Sequence, residues 1–272
     1  MQTQLVTNLR AIWGRAYVRV VGANRELSWM IFEVGLPLLA VFAFALIYRG
    51  LGAPEQYVGF VVVSGAMIAF WQNILWSMAA QFYWEKEMGN LELYLIAPVS
   101  RMAILLGMAI GGIVMTATRA IAILVAGTLV FGVTYQVSSW PLLIAVFCLT
   151  MSAVYGLGML SSSLFMLFGR EAWHTANLFQ EPVYFLTGFY FPVRSLGNIA
   201  ALAASAIPLT LGLDAIRQLV FSGKPVNPLF SVPVELGWLA VLTVGLNWAA
   251  VKALHYMENL GKQTGRLTLK AQ

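Results

Sequence analysis

Charge is what this sequence has least of: only 10% of its 272 residues are Asp, Glu, Lys or Arg, against 60% hydrophobic, and the mean hydropathy is +0.79. An ordinary soluble domain carries roughly 25% charged residues, so the composition excludes one and reads as a polytopic membrane protein. Cysteine is nearly absent too. Cys148 stands alone in an apolar run, which excludes an intrachain disulfide and leaves the redox compartment unread. The two histidines, His174 and His255, lack the paired carboxylates or thiols of a metal site and read as interfacial residues. No Gly-x-x-x-x-Gly-Lys-Ser/Thr loop occurs: Gly223-Lys224 is followed by Pro225 and Gly261-Lys262 by Gln263, which excludes ATP binding by that device. The basic residues never cluster with aromatics, so the formal charge of +5 does not point to nucleic acid. Ser161, Ser162 and Ser163 lie inside an apolar run and read as helix-packing residues rather than a nucleophile.

Long apolar runs are what the sequence does have. Six of them, at 29–48, 57–79, 102–131, 140–168, 172–191 and 233–253, each reach the roughly 20 residues a helix needs to cross hydrocarbon. The third and fourth exceed one crossing, which predicts tilt or extension beyond the bilayer. With the amino terminus inside, Arg10, Arg15, Arg19, Arg25, Lys86, Arg101, Arg170, Lys252, Lys262, Arg266 and Lys270 fall on the cytosolic side. Only Arg49, Arg194, Arg217 and Lys224 fall outside, in accord with the positive-inside bias. Residues 2–28 precede the first span. Leu5, Leu9, Ile12, Trp13, Ala16, Tyr17, Val20 and Val21 recur there at helical spacing among the arginines, which predicts an amphipathic helix lying in the inner interface with its arginines among headgroups. Ala43-Phe-Ala45 does not make this segment a cleaved leader, because the leader would be long and the apolar run continues to Tyr48.

Between the second and third runs stands the one strongly polar stretch, 82–100. Glu85, Lys86, Glu87 and Glu92 keep it in water, since a charge at the bilayer centre costs about 2.5–3.5 kcal/mol or more. Gly89 breaks a first short helix, Asn90 is placed to cap a second over 91–96, Pro98 stops that one, and Ser100 is placed to cap the third span. The product is a knob with an apolar face of Leu91, Leu93, Tyr94, Leu95 and Ile96, turned to the membrane domain or to a partner. After the fifth span, Pro182, Gly188 and Pro192 forbid one straight helix, and Pro208, Gly212, Asp214 and Arg217 argue against a seventh crossing. A re-entrant or outer-leaflet hairpin over 183–221 fits, with Phe185, Gly188, Phe189, Tyr190 and Pro192 as its gate and the rings, with Phe191, as an apolar plug. Two charges lie too deep to reach a surface. Counting about 1.5 Å of rise per residue puts Arg119 and Glu181 at similar depths, so they are expected to pair, with Thr116, Asn177 and Gln180 as hydrogen-bonding neighbours and the shallower Glu33 as competing partner.

The block Glu85-Lys-Glu-Met-Gly-Asn-Leu-Glu92, followed by Ala97-Pro-Val-Ser-Arg-Met-Ala-Ile-Leu-Leu-Gly107, resembles the coupling-helix motif of type-2 ABC exporter permeases, with Asn90 where Thr is usual. Thr187-Gly188, Pro192, Pro208-Leu-Thr210 and Asp214-Ala-Ile-Arg217 resemble that family's outer turn and the stretch after it; Thr187 stands where Ser is usual, and Ile207 and Leu211 where Asn and Tyr are common. The resemblance implies an all-α membrane protein forming one permease domain over 1–272. Its six transmembrane helices would be joined by an N-terminal interfacial connecting helix (1–28), a cytosolic coupling helix (82–100) and a re-entrant extracytoplasmic hairpin (183–221). It further implies that Glu85, Glu87, Gly89, Asn90, Leu91, Glu92 and Pro98 couple the chain to a separate ATPase. Two copies of that ATPase bind ATP and Mg, while this chain holds no cofactor and is not itself an enzyme. A second permease copy completes a two-fold dimer in the lipid of the plasma (inner) membrane, with both termini cytosolic. For the cargo, Met67, Phe70, Trp71, Trp76, Met78, Phe82, Phe185, Phe189 and Tyr190, with few fixed charges among them, favour an amphipathic, drug-like or lipid-like molecule, although interfacial belts and helix packing use the same residues. Lipid-linked polysaccharide is the alternative; Val18-Arg-Val-Val-Gly-Ala-Asn-Arg25 matches poorly the sequence that precedes the first span in that branch. A membrane-embedded enzyme or stand-alone channel would need polar residues converging at one depth.

Overall fold

Apolar runs without turn residues fold as helices here because, away from water, backbone donors and acceptors must be satisfied within their own segment. The structure is a computed structural model that describes residues 2–25, 27–79, 84–85, 87–165, 174, 178, 180–222 and 227–264. Its first helices are α1 (Gln2–Ala23), α2 (Leu27–Gly50) and α3 (Glu55–Asn73), the last continuing as a π-helix over Ile74–Ala79. Then come α4 (Asn90–Ile96), α5 (Arg101–Phe131), α6 (Trp140–Phe165), α7 (Gln180–Leu186), a 3-10 turn (Val193–Leu196), α8 (Asn198–Ala204), α9 (Pro208–Val220) and α10 (Val232–Thr264). Strand pairing among the described residues is confined to one bridge between Gln136 and Phe221.

Five helices are long and apolar enough to cross a membrane: Met30–Gly50, Glu55–Ala79, Arg101–Phe131, Trp140–Leu164 and Val232–Gly261. They match the first, second, third, fourth and sixth expected spans. The fifth, 172–191, lies partly outside the described residues, at 172–173, 175–177 and 179; its described end is the short α7, stopped where Gly188 takes φ +65°. Beyond it, α8 and α9 meet at 107° across 205–207, with Pro208 opening α9. Pro at a first helical position loses no intrahelical bond, so the break falls where Pro208 is tolerated.

The core surrounds α3, whose Phe60, Met67, Phe70 and Trp71 are buried among α5, α6 and α9. Alongside, α1 keeps step with the first half of α5. A Cβ on Gly107 would lie 2.6 Å from the Ile12 carbonyl oxygen, and one on Gly111 2.9 Å from that of Ala16. Two glycines four residues apart thus let one backbone lie against the other. Along the second half α2 takes over: the Phe42 ring meets Phe131 at 5.3 Å between centroids, and Arg49 donates to the Phe131 carbonyl at 2.7 Å. The first half of α5 thus offers α1 a groove along which it packs. Leu5, Leu9, Trp13 and Tyr17 line its exposed face. Its arginines also divide, Arg10 and Arg25 remaining exposed while Arg15 and Arg19 turn inward to side chains of the protein.

The α1–α5 seam carries a direct test. Gly111→Val drives a branched side chain into the Ala16 backbone and should cost about 1–3 kcal/mol of stability, read as a lower unfolding midpoint in detergent. Gly35→Ala, where a Cβ meets nothing within 4 Å, should leave the midpoint unchanged or slightly raised. Equal losses at the two sites would mean that α1 is not seated on α5.

Candidate functional site

Two junctions, one at each end of the bundle, hold most of the buried charge. At the end that carries α4, Glu85 is withdrawn from solvent to 4% exposure despite its place in the polar stretch. Arg15 of α1 pairs with it, and its Oε2 accepts from Asn90 Nδ2 at 3.0 Å and from the Tyr94 hydroxyl at 3.1 Å. The Arg15 guanidinium also lies 5.5 Å from the Tyr94 ring centroid. Burial raises the Tyr94 phenol above its ordinary pKa, the nearby Arg15 charge opposing the shift. Two turns earlier in α1, Asn8 Oδ1 accepts the Ser100 backbone N–H at 3.0 Å, tying α1 to the residue that opens α5. Arg101 then pairs with Glu258 of α10, and Arg19 donates to Ser77 Oγ in the π-helix.

Both expected caps are therefore corrected. Gly89, at φ +77°, occupies the cap position of α4, and Asn90 turns its amide back to Glu85 because a buried carboxylate needs that donor. Ser100 stands at the α5 cap without a side-chain bond there, its own N–H having gone to Asn8. Glu87 is half-buried and Pro98 exposed; Lys86 and the side chains of Leu91, Glu92 and Leu95 lie outside the described residues. Among the described side chains of this stretch, the large apolar Trp84, Met88, Leu93 and Ile96 are exposed, Ile96 to 81%. Arg15, Asn8 and Met88 were not singled out by the sequence, since a pairing between segments seventy residues apart leaves no local periodicity.

At the opposite end the organiser is Arg217 of α9, buried to 1% exposure. Its Nη2 donates to Ser64 Oγ (2.6 Å) and to the carbonyls of Gly188 (2.8 Å) and Phe189 (2.9 Å), and its Nη1 to that of Phe191 (3.4 Å). The guanidinium lies 5.3 Å from the Phe60 ring centroid. A Cβ on Gly188 would sit 2.7 Å from the Phe191 oxygen at a left-handed φ, so glycine is required twice over. Of the expected gate residues, Phe189 is buried against Tyr184 (5.3 Å between centroids), Tyr190 stacks on Phe44 (3.9 Å) with its carbonyl taking the Tyr48 hydroxyl (2.6 Å), and Pro192 is buried. Phe185 is exposed, 5.7 Å from Phe191. The structure thus gathers the turn around Arg217 but sends its rings in different directions, as successive residues of a tight turn must point. They do not form one plug.

Between the ends, Arg119 is buried and pairs with Glu33, not with Glu181, which stands exposed in the first turn of α7. Depth counting misranked the partners because depth does not say which helices are neighbours, and α2 is the one that lies along α5. With α1 occupying the first half of α5, α2 begins higher, and Glu33 arrives level with Arg119. About two turns of α5 away, beside Gly112, Asn73 Oδ1 accepts the Tyr155 hydroxyl at 3.1 Å. Among the described residues no group of three His, Cys, Asp or Glu side chains converges as a metal would require. Arg119→Gln and Glu33→Gln should each lower stability by about 3–5 kcal/mol, with much of the loss recovered in the double variant. Glu181→Gln should add independently to Arg119→Gln, and strict additivity between Arg119 and Glu33 instead would dissolve the pair.

Comparison with known proteins covers the same ground. No curated protein matches the chain. Residues 7–221, from α1 through the end of α9 and so through both junctions, match the family described as ABC-2 type transporter. An all-helical multi-pass bundle with five spans described, bearing that match over more than half its length, belongs to the ABC-2 type transporter family and is the membrane permease of an ABC transporter.

Proposed function

We propose that this chain forms the translocation path of an ATP-driven exporter, paired two-fold with a second permease copy and energised by two copies of a separate ATPase. The α4 end then faces the cytosol with both termini, in the plasma (inner) membrane, and the 183–221 segment is a re-entrant outer gate. The observation that carries this reading is the Glu85 junction, which makes α1, α4 and the head of α5 one body. A push on α4 moves a long helix rather than a loop.

The route from there is continuous. At its far end α5 leads through Gly132 into 133–139, where Gln136 N–H donates to the Val220 carbonyl and Ser138 N–H to that of Leu219, both at 2.9 Å, at the end of α9. Through Arg217, α9 holds the 188–191 turn. ATP binding closes the ATPase pair, the knob follows, and α5 carries the displacement to the gate; bound states are selected by the difference in their contacts, so this chain needs no chemistry of its own. An amphipathic, drug-like or lipid-like cargo is supported by an apolar cleft of about 500 Å³ between α3, α5, α6 and α9, walled by Met67, Phe70, Leu124, Trp140 and Phe147.

The docking surface differs in chemistry from an acidic patch. Arg15 takes up the charge of Glu85, so the contact offered to the ATPase centres on Met88, Leu93 and Ile96, with the half-buried Glu87 in the same segment. Met88→Asp, Leu93→Asp and Ile96→Asp together should abolish co-purification with the co-expressed ATPase and permease-stimulated ATP hydrolysis while leaving membrane insertion intact. Glu87→Ala with Glu92→Ala should weaken both less. Wild-type co-purification and stimulation in the triple variant would remove this end from the ATPase contact.

A further inference from the structure

One turn before Arg217, α9 is tied to the start of α10 by acidic groups. Asp214 is buried to 2% exposure and Glu235 completely. Gln218 Nε2 faces three acceptors: Asp214 Oδ2 at 3.3 Å, Glu235 Oε2 at 3.0 Å and the Phe230 carbonyl at 2.9 Å. An amide nitrogen has two hydrogens, so one acceptor is left short. The Leu229 N–H, at 2.8 Å, also goes to Asp214 Oδ2. The two carboxyls thus meet at one amide nitrogen, and Glu235 Oε1 is buried with no hydrogen-bond partner among the described residues.

Among the described residues no cation forms an ion pair with either carboxyl; Arg217, one turn from Asp214, feels its charge but gives its hydrogen bonds elsewhere. Arg217 turns its guanidinium to Ser64, Phe60 and the 188–191 carbonyls, with Tyr48 on that same side. Arg194 is exposed and donates to the Pro228 carbonyl at 3.0 Å. Packed on both helices, α6 carries no charged residue from Trp140 to Phe165, its titratable groups being Cys148 and Tyr155. In α10 no charge follows Glu235 before Lys252, and α8 and 227–231 carry none. Two ionised carboxylates brought together at a dry site repel; a single proton between them turns the repulsion into a hydrogen bond.

We propose that Asp214 and Glu235 form a proton-binding site, sharing one proton that fastens the hairpin helix α9 to the last span. The site stands on the fold alone and does not depend on the cargo or the direction of transport. Folding then retains a proton that the unfolded chain has lost. The stabilisation is complete below the ordinary carboxylate range and disappears as pH rises through the upper titration of the pair.

The test uses the full-length protein in detergent or nanodiscs. At pH 7 the infrared spectrum of the wild type should contain the carbonyl stretch of a protonated carboxyl, shifted in D₂O and lost in Glu235→Gln, whose amide replaces the proton as donor. The fall in unfolding midpoint from pH 5 to pH 9 should shrink by about half or more in that variant. If Glu235→Gln does not fold, Asp214→Asn should move or remove the same band. A wild type without the band, a band unchanged by the variant that folds, or identical pH profiles would each overturn the site.

Discussion

A carboxylate withdrawn from water must have its charge answered, and Glu85 is where this chain meets that demand most fully. Arg15 of α1 and Asn90 and Tyr94 of α4 close on it. Breaking a buried pair leaves an uncompensated charge, which is far costlier than the pair is favourable, so the arrangement fixes geometry more than it adds stability. The rest follows from it: α1 is held against α5, its glycine groove is filled, α2 is displaced along α5, and Glu33 is delivered to Arg119.

The opposite end applies the same rule with the sign reversed. Arg217 is a buried cation whose charge is spread over backbone carbonyls, and that choice determines the shape of the 188–191 turn. Because α9 also receives 133–139 from the end of α5, the two junctions share one rigid intermediate. A permease that converts motion at one face into opening at the other needs such a connection. Asp214, one helical turn from Arg217, meets Glu235 of α10 at the Gln218 amide and so places a further adjustable contact on α9.

Much of this was legible in the sequence, for identifiable reasons. Span positions came from hydropathy, which is set by the bilayer thickness alone; the expected 102–131 and 57–79 fall within two residues of Arg101–Phe131 and Glu55–Ala79. The bend before α9 was legible because Pro208 has few places to go, and the Gly89 break because that residue takes a left-handed φ. The pairings were not. Arg15 with Glu85, Asn8 with Ser100 and Arg217 with the 188–191 carbonyls are long-range contacts, decided by which faces meet after the helices pack. Arg217 was visible as a cation in an apolar stretch, a signal that something buried must answer it without saying what. The π-helix after Asn73 had no sequence signal beyond the polar pair Gln72-Asn73.

The central claim is that the Arg15–Glu85 pair joins the ATPase-facing helix to the membrane bundle. The most direct measurement is permease-stimulated ATP hydrolysis in a charge exchange at the two positions. Arg15→Glu and Glu85→Arg should each lose stimulation while still co-purifying with the ATPase through Met88, Leu93 and Ile96, and the double exchange should recover a substantial part of it. Full stimulation in either single variant, or a double no better than the worse single, would contradict the account.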